Sequence, residues 1–151
     1  MRNRIIFLSI LIISLHTSCS FGQSNATIYQ GAEANKPVYK ALYILDENDP
    51  QKIKMTLRNI DNALSDERLK GKLTVELVSF GPGYAVFEKT SPYEESLLDL
   101  QKKGLILAQC SNTIRERKID KNTLFPFISY VPSGNGEIII RAADGWAIIH
   151  P

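Results

Sequence analysis

The sequence predicts an α/β domain built on a mainly parallel sheet, and three observations carry that prediction. From residue 38 onward, strand-like apolar runs alternate with stretches whose apolar residues recur at helical spacing. The helical stretches open on capping residues and close on glycine. The first strand-like run, VYKALYIL over residues 38–45, is almost continuously apolar, as expected of a strand buried on both faces.

Asp46-Glu47-Asn48 ends that strand. Asp49 then supplies an N-cap and Pro50 the first helical position, where a missing N–H costs nothing. Ile53, Leu57, Ile60 and Leu64 fall at i, i+4, i+7 and i+11, one stripe of a helix. Gly71 closes the connection. LTVELVSF, residues 73–80, is a second strand running into Gly81-Pro82-Gly83. Ser91-Pro92-Tyr93-Glu94 reads as a capping box in which Ser91 accepts from the Glu94 amide. Tyr93, Leu97 and Leu100 make the stripe of the helix that follows, and Gly104 stands where a left-handed cap belongs. LILAQ, residues 105–109, is a third strand ending on Cys110; Ser111, Asn112 and Thr113 can start a helix. Asp120 caps a short turn before a fourth strand, FISYV, at 127–131. Strand, helix, strand, helix, strand is the pattern of right-handed βαβ units, with helices covering both faces of the sheet.

Residues 133–149 admit two readings. Asn135-Gly136 and Asp144-Gly145 can form hairpin turns of an antiparallel meander, which the run Ile138–Ile140 favours on propensity. Alternatively, Ser133 caps a helix through Ala143, Gly145 ends it, and Trp146–Ile149 is a fifth strand.

The amino terminus predicts export. Arg2 and Arg4 precede an apolar run from Ile5 to Leu15, which is short of the roughly 20 residues a membrane span needs and suits a signal peptide. Ser20-Phe21-Gly22 allows cleavage before Gln23. Leu15-His16-Thr17-Ser18-Cys19 resembles a lipoprotein box, with lipidation of Cys19 and a membrane anchor as the alternative outcome. Residues 1–22 are thus a leader, or one ending before Cys19, and the mature protein is expected in the periplasm or anchored to the envelope. Residues 23–37 read as a flexible tether with a weak sequon at Asn25-Ala26-Thr27, and residues 38–151 as one domain. Loss of Arg2 and Arg4 leaves 16 basic residues against 16 acidic ones. With no basic stripe, nucleic acid is not an expected partner.

Ligands of parallel α/β sheets bind beyond the carboxyl ends of the strands. Asp46-Glu47-Asn48, Gly81-Pro82-Gly83 and Cys110-Ser111-Asn112-Thr113 share that edge. The first of these reads as solvated loop and N-cap chemistry. Cys110, at a strand end and ahead of a helix start, meets amide donors that lower a thiol from about 8.5 toward neutrality, and Arg115 and Arg117 are near it in sequence. The same residue also reads as a small buried hydrophobe or as a partner for another chain's thiol. Gly81 and Gly83 either bring backbone close to a bound group or make a tight turn. Outside the leader there is one histidine, His150, and no C-x-x-C, so a zinc set lacks ligands. No metal or organic cofactor is implied: G-x-S-x-G, Walker and G-x-G-x-x-G motifs are absent from the sequence. A Cys110–His150 pair requires the last strand to lie beside the first, and Trp146 reads as core.

The order of these segments resembles the DsrE/DsrF-like family. The residues that carry the likeness are the hydrophobic first strand, Gly81-Pro82-Gly83 after the second, Cys110-Ser111-Asn112-Thr113 after the third, Val131-Pro132-Ser133-Gly134, and Gly145-Trp146-Ala147 before the terminal proline. The resemblance spans about residues 38–151. It implies a three-layer α/β/α sandwich with a five-stranded, mainly parallel sheet and the helical reading of 133–144. It further implies a homo-oligomer, trimer or hexamer, and a thiol-based sulfur carrier or sulfurtransferase-like protein that exchanges sulfur with a donor or acceptor protein. Cys110 matches the family's persulfide-forming cysteine, with Asn112 and Thr113 beside it and Gly81 and Gly83 in the adjoining loop as substrate-binding residues. Phe80 stands where many relatives carry histidine. The competing reading is a non-enzymatic oligomeric binding protein in which Cys110 is structural.

Overall fold

A computed structural model describes residues 28–151; the leader, Cys19 and the sequon at Asn25 lie outside the described residues. The chain divides into two units, residues 1–32 and Glu33–Pro151, and the second holds every helix and strand among the described residues. Its elements are β1 (Tyr39–Leu45), α1 (Pro50–Leu64), β2 (Leu73–Ser79), a 3-10 helix (Gly81–Phe87), α2 (Glu94–Lys102) and β3 (Leu105–Cys110). Then come α3 (Ser111–Glu116), a 3-10 turn (Lys121–Thr123), β4 (Ser129–Val131), α4 (Gly134–Ala143) and β5 (Ala147–Ile149). The five strands form one sheet in the order β4-β3-β2-β1-β5, and every neighbouring pair is parallel.

Alternation along the strands sorts side chains into two cores. Ala41, Tyr43 and Leu45 of β1, Val75 and Leu77 of β2, and Leu105 and Leu107 of β3 pack with Ile53, Leu57 and Ile60 of α1, Leu97 and Leu100 of α2, and Ile114 of α3. On the other face, Leu42, Ile44, Val78 and Ala108 pack with Trp146 and with Ile138 of α4. Helices α1, α2 and α3 therefore cover one face and α4 the other, as right-handed crossovers require when β1 to β4 advance one way and β5 returns to the far side of β1.

Most of the anticipated caps form. Asp49 accepts from the Gln51 amide at 2.8 Å, Asp120 from Asn122 at 2.9 Å and Ser133 from Gly136 at 3.2 Å. Gly71, Gly104 and Gly145 all have positive φ. The capping box at Ser91 does not form. Helix α2 begins at Glu94 after Tyr93, and the Ser91 hydroxyl instead donates to the Val86 carbonyl at 3.0 Å, at the end of the 3-10 helix. The hairpin favoured by Ile138–Ile140 is not the fold: these residues lie in α4, where the Ser133 cap and Gly145 set the ends. The end of the expected tether is tied down, since Lys72 Nζ donates to the Ala34 carbonyl at 3.1 Å and the Lys36 amide to the Tyr39 hydroxyl at 3.0 Å.

Candidate functional site

Strand β3 is followed by α3 on one face of the sheet, whereas β4 is followed by α4 on the other. The chain thus leaves two neighbouring strands in opposite directions, and the gap between their carboxyl ends is the topological switch point where open α/β sheets bind ligands. Cys110 is the last residue of β3, and its register partner on β4 is Val131. A cavity of about 270 Å³ opens there, lined by Phe80 and Gly81 from the end of β2, by Cys110, Asn112, Thr113, Glu116 and Arg117, and by Ser133, Gly134 and Asn135.

The cysteine is 5% exposed. Burial pushes its thiol up, but the Thr113 amide, the Gly134 amide, the Thr113 hydroxyl and the Asn112 amide together hold it below the ordinary range of a cysteine thiol. These donors come from the beginnings of two helices on opposite faces of the sheet. Thr113 has a second partner: its Oγ1 accepts the Gly81 amide at 3.0 Å, which leaves the hydroxyl proton for the sulfur. Gly81 takes φ +52° at this contact, a left-handed conformation that glycine tolerates.

Among the residues singled out from sequence, Gly81, Cys110, Asn112 and Thr113 meet in this cavity. Gly83 sits elsewhere. A Cβ built on it would lie 2.2 Å from the Leu45 carbonyl oxygen, so its backbone is pressed against the end of β1. Arg117 lines the cavity and Arg115 does not. His150 is also elsewhere: β5 does lie beside β1, but that sets it three strand spacings, roughly 14 Å, from β3. Its Nε2 instead lies 2.9 Å from Asp46 Oδ1, joining the ends of β1 and β5.

Sequence reasoning singled out Phe80 through the resemblance but missed Glu116, Ser133, Gly134 and Asn135 as cavity residues. The Val131-Pro132-Ser133-Gly134 motif was the available signal, but while residues 133–149 could still be a hairpin nothing aimed the Gly134 amide at Cys110. Phe80 and Gly134 form one wall. A Cβ on Gly134 would meet Phe80 Cδ1 at 2.8 Å, so the bare glycine lets the helix start lie on the ring. Among the described residues no group of three His, Cys, Asp or Glu side chains could hold a metal ion. The cavity offers one thiol, amide donors, the Arg117 guanidinium and the Glu116 carboxylate.

No protein-family model matches the chain, and no curated protein matches it in sequence. Solved structures do. A protein of unknown function from Methanobacterium thermoautotrophicum, MTH1491, is similar at 29% identity and TM-score 0.69, over 75% of this chain and 99% of its own. A conserved protein of unknown function from Bacteroides thetaiotaomicron, BT1422, shares the fold at 10% identity and TM-score 0.59, over 74% of this chain and 94% of its own. The chain is thus structurally similar, across its α/β domain, to proteins whose function is open.

Proposed function

We propose that the protein is a DsrE/DsrF-like sulfur carrier in which Cys110 accepts, holds and passes on a sulfane sulfur. The observation that carries this reading is a buried cysteine at the switch point of a parallel sheet, in a cavity lined by the first residues of two helices, where Asn112, Thr113 and Gly134 favour its thiolate. In the proposed step the Cys110 thiolate attacks the outer sulfur of a donor persulfide. A bond forms between Sγ and that sulfur, the donor's sulfur–sulfur bond breaks, and the donor leaves as a thiolate carrying the bonding pair. The proton on the transferred sulfur passes to the departing thiolate, so Cys110 is left with a persulfide anion of the same charge as the thiolate it replaces, now carried by the outer sulfur inside the cavity. Gly81, Asn112 and Thr113 shape the cavity around the transferred atom.

A second reading, an oligomeric binding protein with a structural cysteine, draws support from the burial of Cys110 and from the apolar Phe80 beside it. Reactivity separates the two. Alkylation of the native protein should titrate with an apparent pKa below the free-thiol value of about 8.5. Treatment with a sulfane-sulfur donor should add the mass of one sulfur, and Cys110→Ser should abolish the adduct while the protein stays folded. Native alkylation no faster than global unfolding, with no adduct, would refute the carrier reading.

A further inference from the structure

Helix α4 begins at Gly134, which lines the same cavity as Cys110, yet apolar packing holds the helix loosely. Of its ten residues only Gly134 is buried, Ile138 is partly buried against the second core, and Ile139 and Ile140 are exposed. Its polar attachment lies two turns along. The Arg141 guanidinium stacks over the Trp146 ring at 4.2 Å, and its Nη2 lies 2.7 Å from Oε2 of Glu76, with Nε 2.8 Å from Oε1 of Glu137. Glu76 is 1% exposed. It sits in the middle of β2, in the row Ile148–Leu42–Glu76–Ile106 across the sheet, with Leu42 and Ile106 as its register neighbours. A carboxylate in that setting is costly unless a cation meets it, so it fixes where Arg141, and the helix that carries Arg141, can lie.

We propose that Glu76, acting through Arg141, is a positioning residue for Cys110: the buried ion pair pins α4 so that the Gly134 amide stays on the sulfur. Seven residues of helix, about 10 Å, separate the anchor from the amide, and a helix of that length moves as a rod. Glu76 itself does not line the Cys110 cavity. This inference rests on the reading of Cys110 as a stabilised thiolate.

The sign of the effect distinguishes positioning from simple charge. If Glu76 and Arg141 acted on the thiolate through their fields, Glu76→Gln would lower the Cys110 pKa and Arg141→Met would raise it. Positioning forecasts a rise in both. The experiment is the pH profile of iodoacetamide alkylation of Cys110 in the full-length chain, with thermal unfolding recorded for each variant. In both variants the expected result is a rise of roughly half a unit to one unit, a three- to tenfold slower reaction at neutral pH. Arg141→Lys, which keeps a cation over Glu76, should recover part of the loss. Should Arg141→Met fail to fold because it strands the carboxylate, the double variant Glu76→Gln/Arg141→Met carries the same forecast without a buried charge. Folded variants whose profiles match the wild type, or shifts of opposite sign, overturn the positioning role while the carrier reading survives. A wild-type thiol that titrates at or above the free-thiol value of about 8.5 overturns both.

Discussion

Thr113 has two roles at the site: its hydroxyl oxygen accepts the Gly81 amide at 3.0 Å, and its hydroxyl helps hold the Cys110 thiol below its ordinary range. Replacing it with valine keeps the shape and removes both. A hydrogen bond to a charged group contributes about 1.5 kcal/mol or more, and 1.36 kcal/mol is one pKa unit, so Thr113→Val should raise the Cys110 pKa by about one unit. It should also lower stability by about 1–3 kcal/mol, because the Gly81 amide loses its partner. Thr113→Ser should show neither effect. Alkylation profiles and thermal melts of the two variants test this, and an unmoved pKa in Thr113→Val would remove the hydroxyl from the account. At this scale sequence went far. Cys110, Asn112 and Thr113 are contiguous, and the rule that helix-start amides stabilise an anion needs only a strand followed by a helix. Gly134 is 24 residues further on, and its part depends on a tertiary contact that no local rule contains.

Among the elements, α4 separates propensity from context. Three consecutive isoleucines favour a strand locally, yet Ser133 and Gly145 bracket a helix, and only the return of the chain to β1 makes that helix necessary. The capping box at Ser91 failed for a related reason: the preceding 3-10 helix left the Val86 carbonyl within reach, and the Ser91 hydroxyl bonds to it. The two close-packed glycines make a contrasting pair. Gly83→Ala drives a methyl into the backbone carbonyl of Leu45, which cannot swing aside, and should cost about 1–3 kcal/mol with little change in Cys110 reactivity. Gly134→Ala meets the Phe80 side chain, which can rotate. It should cost less stability but tilt the start of α4 and raise the Cys110 pKa. Denaturant melts alongside alkylation profiles would show the two effects parting. Equal stability losses, or a larger one for Gly134→Ala, would contradict this packing account.

For the molecule as a whole, the two faces of the sheet are unequally covered. Among the described residues, three helices pack on one face and α4 alone on the other, although parallel sheets are normally covered on both sides. In the row Ile148–Leu42–Glu76–Ile106 the two central residues are buried, while Ile148 and Ile106 remain 38% and 37% exposed. Ile139 and Ile140 of α4 are 69% and 58% exposed. The proposed relationship to the DsrE/DsrF-like family carries an expectation of a trimer or hexamer, and this apolar set is the surface best suited to a symmetric contact, since a closed assembly buries the same residues on every copy. Light scattering at tens of micromolar should therefore give a mass several times that of the chain. Ile140→Glu/Ile148→Glu should shift it toward the monomer, and the monomer should stay folded because neither side chain belongs to a buried core. A wild-type monomer at that concentration would count against the assembly and weaken the family reading. A double variant that still assembles would leave the oligomer in place and move its interface off this face, to a surface that does not bear on the helix holding the Gly134 amide over Cys110.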